Sequence, residues 1–156
     1  MSTPFDGNTG LWHVSGGWVG ESSIEALAEN IRKYTPAADA VYVKTSEGSS
    51  WQGSRDTKPA MAIMGPDDLA RWVEVLKPYG LGVHAWAIPR GTDIAKEIEI
   101  ISAACSVPGI RSMILDVEPH AGYWKGGRDG ALRLMSGIRQ KIGSAFHLGM
   151  SVDPRR

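Results

Sequence analysis

Short apolar runs alternate with segments of helical periodicity along this chain. The apolar runs begin roughly 30–40 residues apart, which is the length of one βαβ unit. Each run is continuous and bounded by turn residues, as is typical of parallel strands that are covered on both faces. The order of elements is therefore βαβαβαβαβ. The predicted strands cover residues 11–15, 40–44, 81–88, 111–117 and 146–152, and the predicted helices cover residues 22–35, 66–80, 92–106 and 129–143.

Terminal signals support the predicted helices. Ser22 and Glu25 have the spacing of a capping box at the start of the first helix. Thr92 or Asp93 caps the third helix, since both side chains can accept hydrogen bonds from free N–H groups of the first turn. The fourth helix ends at Gly143, a residue type that favours helix C-termini.

Two architectures fit this order of elements. One is a partial (β/α)8 TIM barrel: a complete barrel takes about 250 residues, and 156 residues hold about five of its eight βα units. The other is a five-stranded doubly wound parallel sheet. Polar and aromatic residues follow every predicted strand, whereas a doubly wound sheet would concentrate them at one switch point. The sequence also stops directly after the fifth strand, without the helix that usually covers the last strand of a doubly wound domain. We therefore expect residues 1–156 to form a single domain, the N-terminal portion of a barrel truncated after strand 5, with the doubly wound sheet as the alternative.

Composition restricts the partners and the compartment. Lys and Arg together number 17, as do Asp and Glu, so no general attraction to nucleic acid or to membranes is expected. The single cysteine, Cys105, excludes an internal disulfide framework. No apolar run reaches about 18 residues and the N-terminus lacks the features of a signal peptide, which makes the cytoplasm the default expectation. The open edges of a partial barrel predict self-association.

Two carboxylates end the fourth predicted strand. Asp116 and Glu118 are spaced i, i+2, so they point to the same side with Cα atoms roughly 6–7 Å apart, at the catalytic end of a barrel strand. Glycoside hydrolysis uses such a pair, and repulsion between the two groups raises the pKa of one of them. We expect Glu118 to act as general acid and Asp116 to stabilise positive charge in the transition state, without a cofactor. The alternative is that both are solvated or cap the following loop.

Five of the six tryptophans lie in or next to the predicted carboxyl ends of the strands. Exposed tryptophans on scattered loops are costly unless something covers them, and indole rings suit the apolar faces of sugars. We therefore predict that Trp12, Trp51, Trp86 and Trp124 bind a carbohydrate substrate, with the alternative that these rings only close the mouth of the barrel.

Four further polar residues are candidates for the same site. Lys44 ends the second strand, where it either holds a carboxylate ionised and binds substrate or is an ordinary solvated lysine. His84 shares a strand face with Trp86, although a buried histidine is more often structural than catalytic. His13 and Asp153 end the first and fifth strands and are additional candidates.

The strand-end residues resemble those of glycoside hydrolase family 25, the lysozyme-type muramidases. Residues 44–48 read KTSEG, similar to the family's KATEG on strand 2; residues 82–86 read GVHAW on strand 3; residues 116–118 match the D-x-E of strand 4. The resemblance implies a β/α-barrel glycosidase acting on a peptidoglycan-type glycan, with the glutamate of the last motif as acid and its aspartate as a supporting carboxylate. On strand 1 the family carries an aspartate where this chain has His13, and the family's later strands have no counterpart here.

Three other functions are compatible with parts of the sequence. A non-catalytic carbohydrate-binding barrel would keep the tryptophans without the acid–base chemistry. The segment SGGWVG at residues 15–20 suggests a nucleotide-binding domain, although serine replaces the first glycine of the fingerprint. For a metal-dependent hydrolase, the candidate ligands are His13, His84, Asp116 and Glu118. Because the sequence has no paired-histidine or Cys/His motif, we predict no metal.

Overall fold

The computed structural model of the protein describes residues 2–118 and 122–152. Strands and helices alternate along the chain in an α/β architecture. None of the described helices is long and apolar enough to cross a membrane. The strands are β1 (Gly10–His13), β2 (Ala40–Glu47), β3 (Ser50–Trp51), β4 (Gly82–Ile88), β5 (Ile110–Asp116) and β6 (Leu148–Ser151). The helices are α1 (Ile24–Tyr34), α2 (Pro66–Leu76), α3 (Ile94–Cys105) and α4 (Gly127–Ile142).

The sheet is predominantly parallel and follows the order of the chain. Its strand order is β1-β2-β4-β5-β6, and each neighbouring pair in this row is parallel. The two-residue strand β3 pairs with β2 in the antiparallel sense after a tight turn at Gly48, whose φ of 55° favours glycine. The predicted α/β class and parallel sheet are thus confirmed. Among the described strands, β1 and β6 form open edges, so these residues do not close a barrel.

Helix positions follow the sequence periodicity, with a shift at one cap. Helix α1 begins directly after Ser23, whose side chain accepts a hydrogen bond from the backbone N–H of Ala26 at 3.2 Å. The predicted cap at Ser22 is therefore wrong by one residue, because the capping side chain must come directly before the first helical residue. Asp93 caps α3, as one of the two predicted alternatives, by accepting from the N–H of Lys96 at 3.1 Å.

All four helices pack on the same face of the sheet. Their buried apolar side chains and those of the strands form one continuous cluster, which we call the helix-side core. Trp72 of α2 is fully buried in it, and its Nε1 donates a hydrogen bond to the carbonyl of Met61 at 3.2 Å. Removal of this apolar surface from water is the main force that holds the helices on the sheet. The helix-side core includes Ile24, Ala28, Leu69, Leu76, Ile101, Ala104, Leu134 and Ile138 of the helices, and Val43, Ala85 and Leu115 of the strands.

The opposite face of the sheet is aromatic and only partly covered. Phe5 and Tyr123 pack against it, but none of the described helices does. On this face 52 % of Trp12 remains exposed. An apolar surface that stays open in this way is typical of a binding site. Its buried cluster consists of Ala40, Tyr42, Trp86 and Ile88.

Candidate functional site

Four aromatic side chains form a continuous row on the open face of the sheet. Trp12 of β1 stacks on Tyr42 of β2, with ring centres 5.0 Å apart and an interplanar angle of 12°. Trp12 also meets Trp86 of β4 edge-on at 5.2 Å, and Tyr42 stacks on His84 at 4.6 Å. We call these four residues the aromatic row. Strand alternation brings them together, because each side chain projects from the same face of neighbouring parallel strands.

The packing of Tyr42 in the aromatic row depends on a glycine. A Cβ atom at Gly10 would lie 2.2 Å from Cε2 of the Tyr42 ring, so only glycine leaves room for it. Tyr42 was not among the predicted site residues. Tyr42 and Lys44 are two residues apart on β2 and therefore share a face of the strand. The same spacing connected His84 with Trp86 in the sequence, and it was the available signal for Tyr42.

His84 is a structural member of the aromatic row. Its side chain is fully buried, its Nδ1 lies 2.7 Å from Oγ of Ser112, and the ring centre of Phe5 is 5.7 Å away. Burial and the positive charge of Arg111 lower the pKa of His84 to about 4, with Asp39 opposing the shift. The imidazole is therefore neutral at pH 7 and contributes ring surface and a hydrogen bond, not a charge.

Lys44 connects the aromatic row to the carboxyl ends of the strands. It is the register partner of Trp86, and its Nζ lies 5.5 Å from the centre of the Trp86 ring. The indole Nε1 of Trp86 donates a hydrogen bond to the carbonyl of His13 at 3.1 Å, which fixes the ring. Only 8 % of Lys44 is exposed, which is not the environment of an ordinary solvated lysine.

Lys44 contacts a carboxylate that was not among the predicted site residues. Its Nζ lies 2.7 Å from Oε2 of Glu47. The other oxygen, Oε1, pairs with Nη1 of Arg55 at 2.7 Å and accepts a hydrogen bond from Nη2 of Arg90. We call Lys44, Glu47, Arg55 and Arg90 the Glu47 cluster. It ties the end of β2 to the segments that follow β3 and β4.

The carboxyl group of Glu47 stays ionised at neutral and mildly acidic pH. Burial on its own would raise the pKa, but the hydrogen bonds from Lys44 and Arg90 and the charges of Lys44 and Arg55 outweigh it, and they lower the pKa to about 2. Only 17 % of the side chain is exposed, so water screens these interactions poorly. Glu47 therefore cannot donate a proton as a general acid at neutral pH.

A β-bulge explains why strand periodicity did not place Glu47 beside Lys44. Residues i and i+3 of a regular strand point to opposite faces, but the pairing of β2 with β4 shifts register between Lys44 and Ser46. The irregularity redirects the end of the strand, and the two side chains meet. The available signal for Glu47 was its place in the KTSEG segment.

A cavity of ≈ 210 Å³ opens beside the Glu47 cluster at the carboxyl end of the sheet. Its wall includes Lys44, Glu47 and Arg55 of the cluster, together with Ser15 and Trp18 of the loop after β1. Trp18 is 80 % exposed and the side chain of Arg55 is 58 % exposed, so both can be reached from solvent. The cavity thus combines an exposed indole ring with cationic groups.

The predicted carboxylate pair lies at the end of β5, next to the aromatic row. Ile114 is the register partner of Trp86 and packs on the open face of the sheet. Asp116 follows it by two residues and so belongs to the same face. Glu118 lies just beyond the strand, and its backbone carbonyl accepts a hydrogen bond from the N–H of Trp124 at 3.1 Å. Both carboxylate residues are partly buried.

Two of the tryptophans predicted to bind substrate lie elsewhere. Trp51 in β3 and Trp124 in the loop before α4 pack against the helix-side core. The Nε1 of Trp124 also donates a hydrogen bond to the carbonyl of Gly127 at 3.0 Å, which ties the ring to the start of α4. The structure therefore brings Trp12 and Trp86 together and leaves Trp51 and Trp124 apart from them.

His13 lies on the helix side of the sheet, opposite to His84. Its ring centre is 4.7 Å from that of Trp72, and burial lowers its pKa to about 4 against the opposing charge of Asp56. The two histidines considered as metal ligands are thus on different faces. The described part of the chain holds no group of three or more His, Cys, Asp or Glu side chains that could bind a metal ion. The predicted candidate Asp153 lies outside the described residues.

The glycine-rich loop after β1 is occupied by contacts with the segment after β3. The backbone N–H of Gly16 donates to Oδ2 of Asp56 at 2.8 Å, and a Cβ atom at Gly17 would lie 2.7 Å from Oγ1 of Thr57. Nζ of Lys58 donates to two carbonyls of the same part of the chain at 2.5 and 2.7 Å. The glycines therefore make room for neighbouring residues, and an N–H that a nucleotide phosphate would need already has an acceptor.

No protein-family model, no characterised protein and no solved structure matches this chain. The resemblance to glycoside hydrolase family 25 therefore rests on the strand-end motifs alone. Function has to be inferred from the aromatic row, the Glu47 cluster and the carboxylate pair at the end of β5.

Proposed function

We propose that this chain is a carbohydrate-active domain that corresponds to five βα units of a (β/α)8 barrel and takes a peptidoglycan-type glycan. In a barrel, successive βα units lie side by side with every helix outside. A doubly wound sheet reverses its strand order and carries helices on both faces. The chain-order sheet with four helices on one face supports the barrel relationship. The aromatic row then corresponds to the barrel interior.

The exposed Trp12 of the aromatic row, on the sheet face of the β5 carboxylates, is the observation that carries the carbohydrate assignment. Trp12 is 52 % exposed while Tyr42 and Trp86 hold its ring. A rigid, exposed indole offers a flat surface to the C–H face of a sugar ring, and its rigidity limits the entropy lost on binding. Asp116, on the same sheet face, can accept hydrogen bonds from sugar hydroxyl groups.

The proposed reaction is hydrolysis of a glycosidic bond. Glu118 protonates the leaving oxygen as general acid while the bond from that oxygen to the anomeric carbon breaks, and Asp116 stabilises the oxocarbenium-like charge of the transition state. A water molecule supplies the hydroxyl group that ends on the anomeric carbon, and its remaining proton restores the acid. Glu47 does not fit the role of the acid because its pKa is about 2. Its part is to hold Lys44 and Arg90 at the strand ends through ion pairs.

The variant Glu118→Gln should lower the rate of glycan hydrolysis by about 10²–10⁴-fold, the range of general acid catalysis, because an amide has no carboxylic proton to donate. The assay counts reducing ends released from soluble peptidoglycan. The control is Glu74→Gln, which changes an exposed glutamate on α2 and should keep full activity. Hydrolysis by Glu118→Gln at the wild-type rate would remove Glu118 from the role of acid.

A non-catalytic glycan-binding domain is the second candidate, and the position of His13 favours it. The family 25 motif has an aspartate here, whereas His13 is buried on the helix side and leaves β1 without that carboxylate. Fewer carboxylates at the strand ends weaken the case for acid–base chemistry. Glycan binding without turnover, in both the wild-type chain and Glu118→Gln, would identify this alternative.

A further inference from the structure

We infer that the cavity beside the Glu47 cluster is a subsite for a hexuronic acid unit of an acidic glycan. The inference rests on the carbohydrate-binding part of the proposed function, not on its peptidoglycan-type substrate, and adds a charge requirement. Trp18, Arg55 and Lys44 form the ligand-facing part of the subsite, and Glu47 and Arg90 hold the cationic groups in place.

The Glu47 cluster carries more positive than negative charge. The cationic side chains of Lys44, Arg55 and Arg90 all contact the single carboxylate of Glu47. The single negative charge of Glu47 balances one of the three positive charges, so the cluster keeps an excess of two positive charges. At a partly buried position this excess attracts an anion more strongly than it would on an open surface, because water screens it less.

Arg55, in the wall of the cavity, offers the donors that a carboxylate needs. Arg55 contacts Glu47 through Nη1, while a guanidinium group carries five N–H donors in a fork that matches a carboxylate. The side chain of Arg55 is 58 % exposed and lines the cavity. The buried Nη1 of Arg90 has no hydrogen-bond acceptor among the described residues, although buried donors usually find one. The cluster therefore has more donors than Glu47 can satisfy.

The size of the cavity limits the ligand to about one sugar ring. Its volume of ≈ 210 Å³ is below the roughly 300–1,000 Å³ that is typical of pockets for drug-sized molecules. The indole ring of Trp18 is 80 % exposed beside it and offers a stacking surface. An indole next to guanidinium groups suits a sugar that carries both an apolar C–H face and a carboxylate. A nucleotide phosphate fits less well, because the nearby Gly16 N–H is bonded to Asp56.

Calorimetric titration with a matched pair of oligosaccharides tests this inference. One ligand is a tetrasaccharide of alternating glucuronic acid and N-acetylglucosamine, and the other is the same molecule with its carboxyl groups reduced to alcohols. At low ionic strength the wild-type chain should bind the acidic form about tenfold more tightly, and added salt should reduce the difference. Arg55→Gln should weaken this preference, because it removes one of the two excess positive charges of the cluster.

A matched control removes an arginine of similar exposure elsewhere. Arg71 is 50 % exposed and pairs with Glu25 at 3.6 Å, so Arg71→Gln makes the same charge change away from the cavity and should keep the preference. Trp18→Ala should weaken the binding of both forms, because the ring supplies stacking and not charge.

The outcomes separate the uronic acid subsite from the proposed function. Equal affinity for the two forms, or a preference that Arg55→Gln leaves unchanged, would overturn the subsite and leave carbohydrate binding intact. The subsite would also be overturned if Trp18→Ala bound both forms as tightly as the wild-type chain does. Failure of the wild-type chain to bind either form would overturn the subsite, and the proposed function would fall with it only if the chain also did not bind the tetramer of N-acetylglucosamine.

Discussion

Between pH 7 and pH 4 the free energy of unfolding should fall by roughly 6 kcal/mol, about 3 kcal/mol for each of two buried histidines. His13 and His84 are 5 % and 0 % exposed, and burial lowers the pKa of both from 6.5 to about 4. In the unfolded chain each imidazole takes up a proton as the pH falls through 6.5, whereas in the folded chain it stays neutral until about pH 4. The unfolded state is therefore favoured progressively over this range, and the loss levels off as the pH falls below the folded pKa of about 4.

Urea unfolding at several pH values between 7 and 4 measures this loss. His84→Gln removes one of the two titrating groups and should roughly halve the pH dependence, whatever it does to the stability at pH 7. His147→Gln is the control for the substitution itself, at a histidine that is exposed. A free energy of unfolding that is the same at pH 7 and pH 4 would contradict the neutral, buried state of both rings.

Glu47→Gln should lower the free energy of unfolding at pH 7 by roughly 3 kcal/mol, because it leaves buried cations without their counter-charge. The side chains of Lys44 and Arg90 are only 10 % and 24 % exposed. Folding lowers the pKa of Glu47 from 4.5 to about 2. Its stabilising contribution is therefore complete above about pH 4.5 and is lost as the pH falls towards 2. The difference between the variant and the wild-type chain should shrink over the same range.

A second Lys–Glu pair on the surface provides the control for Glu47→Gln. Lys96 and Glu99 on α3 are also three residues apart and in contact at 2.8 Å, but their side chains are 46 % and 62 % exposed. Because water screens this pair, Glu99→Gln should cost less than about 1 kcal/mol. Urea unfolding at pH 7 compares the two variants. Equal losses would show that the Glu47 cluster behaves as an ordinary surface ion pair.

The fold could be predicted where its signal extends over many residues. The four helices have 11 to 16 residues each, long enough for helical periodicity to be visible. Strand β3 has two residues and no periodicity, and it was missed. At the start of α1 the adjacent Ser22 and Ser23 are chemically equal, and only the position of the first helical residue decides which one is the cap.

The candidate site could be predicted where it is built on regular strands. Their places in or next to the predicted strand ends selected Trp12 and Trp86 as candidates, and side-chain alternation along β1 and β4 brings the two rings to a common face. Loop residues could not be placed in this way, since the position of a residue in a loop does not determine towards which layer it turns. Trp124 therefore packs on the helix side against expectation, and Arg55 meets Glu47 without a local sequence signal.

Direct binding of a neutral glycan tests the role of the aromatic row, and the probe is the tetramer of N-acetylglucosamine titrated by calorimetry. We predict saturable binding to the wild-type chain and a loss of about tenfold in affinity for Trp12→Ala, which removes the exposed stacking surface. Leu132→Ala is the control, since it truncates a side chain on α4 that is 59 % exposed on the other side of the sheet. Absence of binding to the wild-type chain, or equal affinity for wild type and Trp12→Ala, would contradict a glycan site on the aromatic row.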